Sequence, residues 1–190
     1  MKLLEQKIIN DGIALEGNIL KVDSFLNHQI DVPFMDKLGK EFSRLFSGLS
    51  ATKILTVEAS GIALSCAAAK YLKLPVLFAK KGNRANIGAD VYFAASYSYT
   101  HKSEYIMTVS RKYLSSCDKI IIIDDFLAKG NALNGLISIS QQAGCEILGI
   151  GIAIEKAFQG GGDALRQEGF NLCSLAIVES MDNGDIVFRQ

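Results

Sequence analysis

Apolar runs alternate with polar turns along most of this chain, and their spacing switches between strand and helix periods. Leu3, Leu4, Ile8 and Ile9 predict a short amphipathic helix, ended by Asn10-Asp11-Gly12. Ile19 to Val22 reads as extended. From Pro33 onward, Met35, Leu38, Phe42, Leu45 and Phe46 fall on one helical face that stops near Gly48. Lys53 to Val57 predicts a strand, Glu58-Ala59-Ser60-Gly61 a tight turn, and Ile62 to Leu72 a helix of small residues. Pro75 to Ala79 is the next strand and meets the pair Lys80-Lys81. Alternating residues from Tyr92 to Tyr99, with Glu104 to Val109 returning, predict a hairpin within a polar stretch. Ile120 to Ile123 are all β-branched, as in a strand buried on both faces. A loop, Phe126 to Asn131, leads into a helix carrying Ala132, Leu133, Leu136, Ile137 and Ile139. Glu146 to Glu155 predicts a long strand, Gly160-Gly161-Gly162 a loop, and Asp163 to Glu168 a short helix. Leu172 to Val178 and Ile186 to Phe188 then read as strands joined by Asp182-Asn183-Gly184. Strands alternating with helices predict one α/β domain over residues 1–190, a three-layer, doubly wound, mostly parallel sheet.

Composition narrows the partners. At 190 residues and 49% hydrophobic content the chain supports one sizeable core rather than two domains. Lys+Arg and Asp+Glu balance at 20 each, which gives no general attraction for nucleic acid. No apolar run reaches the ~18 residues of a membrane span, and MKLLEQKIIND lacks a secretory apolar core. Cys66, Cys117, Cys145 and Cys173 have no paired spacing and read as small core residues of a reducing cytoplasm. Only His28 and His101 could add imidazole ligands, and neither clusters with thiols or carboxylates, so a structural zinc is not expected.

The candidate chemistry centres on Asp124 and Asp125. An unpaired buried carboxylate costs several kcal/mol, so the strand is expected to end at this pair and open toward solvent or ligand. The Gly130-bearing loop then presents free amides and a helix N-terminus at the sheet's carboxyl edge, where α/β proteins hold phosphates. The two acids suit gripping hydroxyls, or a hydrated Mg²⁺ that the phosphates also bind. Glu58-x-Ser60-Gly61 makes a second strand-to-helix anion site, although Ser-Gly also caps helices that bind nothing. Lys80 and Lys81 read either as charge neutralisers near a polyphosphate or as a solvated loop. Lys156 and Phe158 read either as a donor and stacking ring for a planar base or as a surface lysine with a core ring. Asp23 to Gln29 is aperiodic and, on residues alone, a loop packed over the core.

Four apolar residues, two acids and a loop ending in Gly, Ile120 to Gly130, resemble the phosphoribosyl-pyrophosphate (PRPP) signature of the type I phosphoribosyltransferases. That resemblance implies a pentosyl-transferring enzyme in which Asp124 and Asp125 take the ribose hydroxyls. Ala128, Lys129, Gly130, Asn131 and Ala132 then wrap the 5′-phosphate. The family's usual Thr or Ser around the Gly is replaced here by Lys129, Asn131 and Ala132. Ala59, Ser60 and Gly61 correspond to its pyrophosphate loop, and Lys81 to a basic residue that contacts pyrophosphate and joins the acids in catalysis. Leu20 to Asp31 resembles the N-terminal hood of the bacterial branch that acts on xanthine, which implies that Leu20 and Asn27 line the base pocket. Lys156 would meet the purine 6-oxo group, with Phe158 beside it. The family further implies a hood built from about residues 1–32 and 171–190, a flexible flap over about 82–109, and Mg²⁺ carried by PRPP and water with no direct protein ligand. It also implies a cytoplasmic homodimer in purine salvage that binds neither nucleic acid nor membrane. Guanine, hypoxanthine or adenine as the base, and a PRPP-binding transcriptional regulator, are the other readings. A regulator of this fold usually appends a DNA-binding domain, which the start of the chain almost directly at the hood disfavours. A Rossmann-type nucleotide site lacks its G-x-G-x-x-G.

Overall fold

In the computed structural model the described residues are 1–82, 90–98, 103–182 and 185–189. They form helices α1 (Lys2–Asp11), α2 (Val32–Phe46), α3 (Ser60–Leu72), α4 (Asn131–Ala143) and α5 (Gly161–Gln167). The strands are β1 (Ile13–Leu15), β2 (Ile19–Lys21), β3 (Lys53–Val57), β4 (Val76–Gly82), β5 (Val91–Ser98), β6 (Ser103–Ser110), β7 (Lys119–Leu127), β8 (Glu146–Lys156), β9 (Leu172–Asp182) and β10 (Asp185–Phe188). A π-helical turn spans Asp23–Asn27 and a 3-10 turn Ala157–Gln159.

Eight strands share one sheet in the order β10-β9-β8-β7-β3-β4-β6-β5, and β1-β2 is a separate hairpin. The strands from β9 to β4 are mutually parallel, while β10 and the β5-β6 hairpin add antiparallel edges. This is the expected doubly wound, mostly parallel sheet. Its two faces are visible in the isoleucine run itself. Ile121 and Ile123 join the core under α1, α2 and α3, whereas Ile120 and Ile122 join the core under α4 and α5. All four are fully buried, and each contributes ~2 kcal/mol relative to exposure. On β8, glycine lets the phenylalanines of α2 lie flat on the sheet. A Cβ at Gly151 would stand 2.8 Å from ring atoms of both Phe42 and Phe46.

Several boundaries differ from expectation, each for a local reason. β7 runs on through Asp124 and Asp125 to Leu127, because β8 continues beside it and supplies partners (Asp124↔Ile152, Leu127↔Glu155). β4 likewise extends through Lys80 and Lys81, which pair with Thr108 and Met107 of β6. The turn before α3 is shorter than expected, as the helix starts at Ser60. Strand β1 was not expected; Gly17 and Asn18, both at positive φ, turn it back onto β2. The segment after it is a π-helical turn that buries Phe25 and Leu26. The C-terminal strands assigned to the hood are hydrogen-bonded into the main sheet, with α1 packed on β9. Cys66 and Cys117 are exposed rather than core residues. Of the flap, residues 83–89 and 99–102, including Tyr99, lie outside the described residues, as do Asn183 and Gly184.

Candidate active site

Parallel strands β3 and β7 lie side by side, β4 beside β3, and their carboxyl ends meet at one edge. β7 brings Asp124 and Asp125 there, 4% and 8% exposed. Of the expectation that the acids open toward solvent or a ligand, opening to solvent is corrected, while both acids line the cleft described below. The Asp125 amide donates to Asp124 Oδ1 at 3.0 Å. Burial, and then the neighbouring Asp125 charge, hold the Asp124 carboxyl well above the usual carboxylate range, with Lys81 pulling the other way. That upward shift lessens the cost of keeping Asp124 inside the strand. The first turn of α3 presses on the same spot. A Cβ at Gly61 would stand 2.1 Å from Thr56 Oγ1 and 2.9 Å from Asp124 Oδ1, so only glycine fits there.

A cleft of about 260 Å³ opens over these residues. Its walls bring together Ser60, Lys81, Asp124, Asp125 and the loop Ala128, Lys129, Gly130, Asn131 and Ala132. Ala59 and Gly61 flank Ser60, and the Glu58–Ala59 peptide is cis. Gly130 sits at φ 88° as N-cap of α4, a conformation that favours glycine. Its loop therefore feeds directly into a helix N-terminus, where amide N–H groups and the helix dipole favour anions. The Lys81 amide donates to Glu58 Oε1 at 2.5 Å, and the Lys81 ammonium lies 5.3 Å from the Tyr105 ring centroid. A larger cavity of about 580 Å³ between β5 and α4 meets this cleft at Asn131 and contains neither aspartate. The smaller cleft is the one that gathers the candidate residues.

The residues expected around a base are less gathered. Lys156 ends β8, half-buried, and burial pushes its ammonium pKa down. Its Nζ donates to the carbonyl oxygen of Asn18 at 2.9 Å, at the tip of the β1-β2 hairpin. The ring beneath its ammonium is Phe126, 5.3 Å away, and not Phe158, which is exposed on the 3-10 turn. Leu20 is buried in the core and Asn27 is exposed at the end of the π-helical turn. Leu20, Asn27, Lys156 and Phe158 do not line the cleft, whereas Phe126 does and so bridges the cleft to Lys156. Sequence reasoning missed Phe126 and Tyr105 as residues of the cleft. Phe126 had a signal, since it directly follows the acids; Tyr105 had none, because strand pairing places it.

No family model matches the chain. Among solved structures, adenine phosphoribosyltransferase from Trypanosoma brucei, in complex with AMP, pyrophosphate and ribose-5-phosphate, superposes with a TM-score of 0.75 at 17% identity, covering 92% of this chain and 78% of that one. The adenine phosphoribosyltransferase of Rhodothermus marinus gives 0.71 at 14% identity, covering 94% and 100%. These likenesses define the fold as the phosphoribosyltransferase fold. Curated relatives are much closer in sequence. Xanthine phosphoribosyltransferase of Ruminiclostridium cellulolyticum is 50% identical over the full length of both chains. That of Lachnoclostridium phytofermentans is 51% identical, covering 100% of this chain and 98% of its own. The chain belongs to the xanthine phosphoribosyltransferase family.

Proposed function

We propose that this protein transfers the 5-phosphoribosyl group of PRPP to xanthine, giving XMP and pyrophosphate in purine salvage. The observation that carries this reading is the single cleft joining the acidic pair, the Gly130 loop, Ser60 and Lys81. In that reading the 5′-phosphate rests on the amides of residues 128–132 at the start of α4. Asp124 and Asp125 accept hydrogen bonds from the ribose 2′- and 3′-hydroxyls. Ser60, flanked by Ala59 and Gly61, and Lys81 hold the pyrophosphate.

Reaction at C1 breaks the bond to the pyrophosphate oxygen, which leaves with the electron pair, while a purine nitrogen, its proton given up to solvent because the base is acidic, forms the new bond. The ribose passes through oxocarbenium character, as in glycoside cleavage. The acids fix the sugar, the negative charge that remains on the pair favours that positive charge, and Lys81 stabilises the departing anion. Among the described residues no three His, Cys, Asp or Glu gather to hold a metal. Two adjacent carboxylates would suit Mg²⁺ that arrives on PRPP, holding it through water. When bound, the ion neutralises pyrophosphate charge.

At the base, the Lys156 ammonium donates to the 6-oxo group, which suits xanthine and opposes the 6-amino donor of adenine. Asn27 has both donor and acceptor atoms to tell a 2-oxo from a 2-amino group. Leu20 and Phe158 would complete the apolar contact with the ring. The hood and flap assignments and a homodimer belong to the same reading, by family membership. So does a cytoplasmic location; no helix among the described residues is long and apolar enough to cross a membrane.

The test is pyrophosphate release from PRPP and Mg²⁺ with xanthine, guanine, hypoxanthine and adenine offered separately at matched concentration. Turnover that prefers xanthine supports the proposal. Tight PRPP binding without turnover on any base would overturn it in favour of a regulator.

A further inference from the structure

The loop that we assign to the 5′-phosphate is backed by a second element, the first turn of α5. The Gly161 amide donates to the Ala128 carbonyl oxygen at 3.1 Å. A Cβ on Gly161 would stand 2.3 Å from that oxygen, 2.8 Å from the Lys129 carbonyl carbon and 2.9 Å from the Gly130 nitrogen. Gly161 is not among the glycines at positive φ. Its backbone is one that any residue adopts, so glycine is required there by contact with the loop and not by conformation.

The same turn is gripped from its other side by a buried charge that the proposed reaction does not use. Glu155 is fully buried, and a Cβ at Gly162 would stand 2.0 Å from its Oε1. Arg166 donates to both Glu155 oxygens, at 2.8 and 2.7 Å, and Ser174 Oγ donates to Oε2 at 2.5 Å. Such a bidentate pair fixes direction as well as distance. Glu155 also pairs with Leu127 across β7-β8, one residue before the loop begins. The carboxylate, the start of α5 and the loop are thus stacked in one line.

We propose that Gly161, held in place by the Glu155–Arg166 pair, is a positioning residue for the 128–132 loop and so for PRPP. This rests on the proposed function for its kinetic readout, but loop positioning is also readable by PRPP binding alone. Gly161→Ala adds one methyl group at the start of α5 against backbone atoms of the loop, so the loop must yield. Gly48→Ala, in open space, is the control.

The experiment measures KM for PRPP, KM for xanthine, kcat and Tm for these variants and for Arg166→Lys and Arg166→Met. It adds calorimetric PRPP binding in the absence of base. Gly161→Ala is expected to raise KM and Kd for PRPP about tenfold, with KM for xanthine within about twofold and a lowered Tm. Arg166→Met should show the same selective rise, partly rescued by Arg166→Lys. PRPP affinity within about twofold of wild type in Gly161→Ala overturns the inference. So does a loss shared equally by both substrates. Should Gly161→Ala fail to fold, unchanged PRPP affinity in Arg166→Met overturns it equally. Wild-type protein that binds PRPP but turns over no base sinks the proposed function, while the binding arm still decides the inference.

Discussion

The two halves of the candidate site are built in opposite ways. The phosphate half comes from neighbouring strand ends and a continuous stretch, Asp124 to Ala132, locked by parallel registers such as Ile54↔Ile121 and Leu55↔Leu77. The base half draws on a two-stranded hairpin, a π-helical turn, the end of β8 and a 3-10 turn. The direct polar tie identified between this hood and the site lysine is the Lys156 bond to the Asn18 carbonyl. A sheet edge holds its groups to each other whatever is bound. A hood joined by side chains sets its geometry through packing and contact, and in the proposed reading it is the part that governs base choice.

Substitutions should separate the halves. Asp125→Asn removes one charged acceptor, and kcat/KM for PRPP is expected to fall about 100-fold, measured by initial rates at saturating xanthine. Lys156→Gln removes a charged donor, and KM for xanthine should rise about 30-fold, with KM for PRPP within about twofold. An equal rise in both would break the separation. Asn27→Ala should lower the xanthine-to-guanine ratio of kcat/KM about tenfold, leaving PRPP parameters unchanged. The smallest effect is on stability. Asp124 has a raised pKa in the folded protein, so its contribution is fully present in acid and lost as pH rises through that value. Asp124→Asn keeps an acceptor for the Asp125 amide but has no charge to bury. Its Tm should match wild type in acid and exceed it by about 3 °C above the Asp124 pKa, the shift that ~1 kcal/mol makes in a domain of this size. A Tm difference that does not vary with pH would contradict this.

The same contrast governs what was legible in the sequence. Strand, acids, Gly-bearing loop and helix are one contiguous stretch, so Asp124 to Ala132 could be placed at a sheet edge from periodicity and turn chemistry. That Asp124 and Asp125 remain inside the strand was not legible. It depends on β8 running alongside to Leu127 and on the surroundings that raise the Asp124 pKa, both products of the assembled fold. Tyr105 reaches the cleft only because β6 pairs with β4, a long-range register that no local pattern encodes. The hairpin containing β1 was missed although Gly17-Asn18 between Ile13–Leu15 and Ile19–Lys21 is a usable turn signal. Lys156 was located at its strand end, but its aromatic neighbour proved to be Phe126 of β7, since adjacent parallel strands place residues side by side that are distant in sequence.

Calorimetric titration of PRPP with Mg²⁺ into wild type, Asp125→Asn and Lys156→Gln tests the separation of the halves most directly. PRPP affinity should collapse in Asp125→Asn and stay within about twofold of wild type in Lys156→Gln. Equal losses in the two variants would contradict it, and would mean that the hood and the sheet edge form a single coupled site.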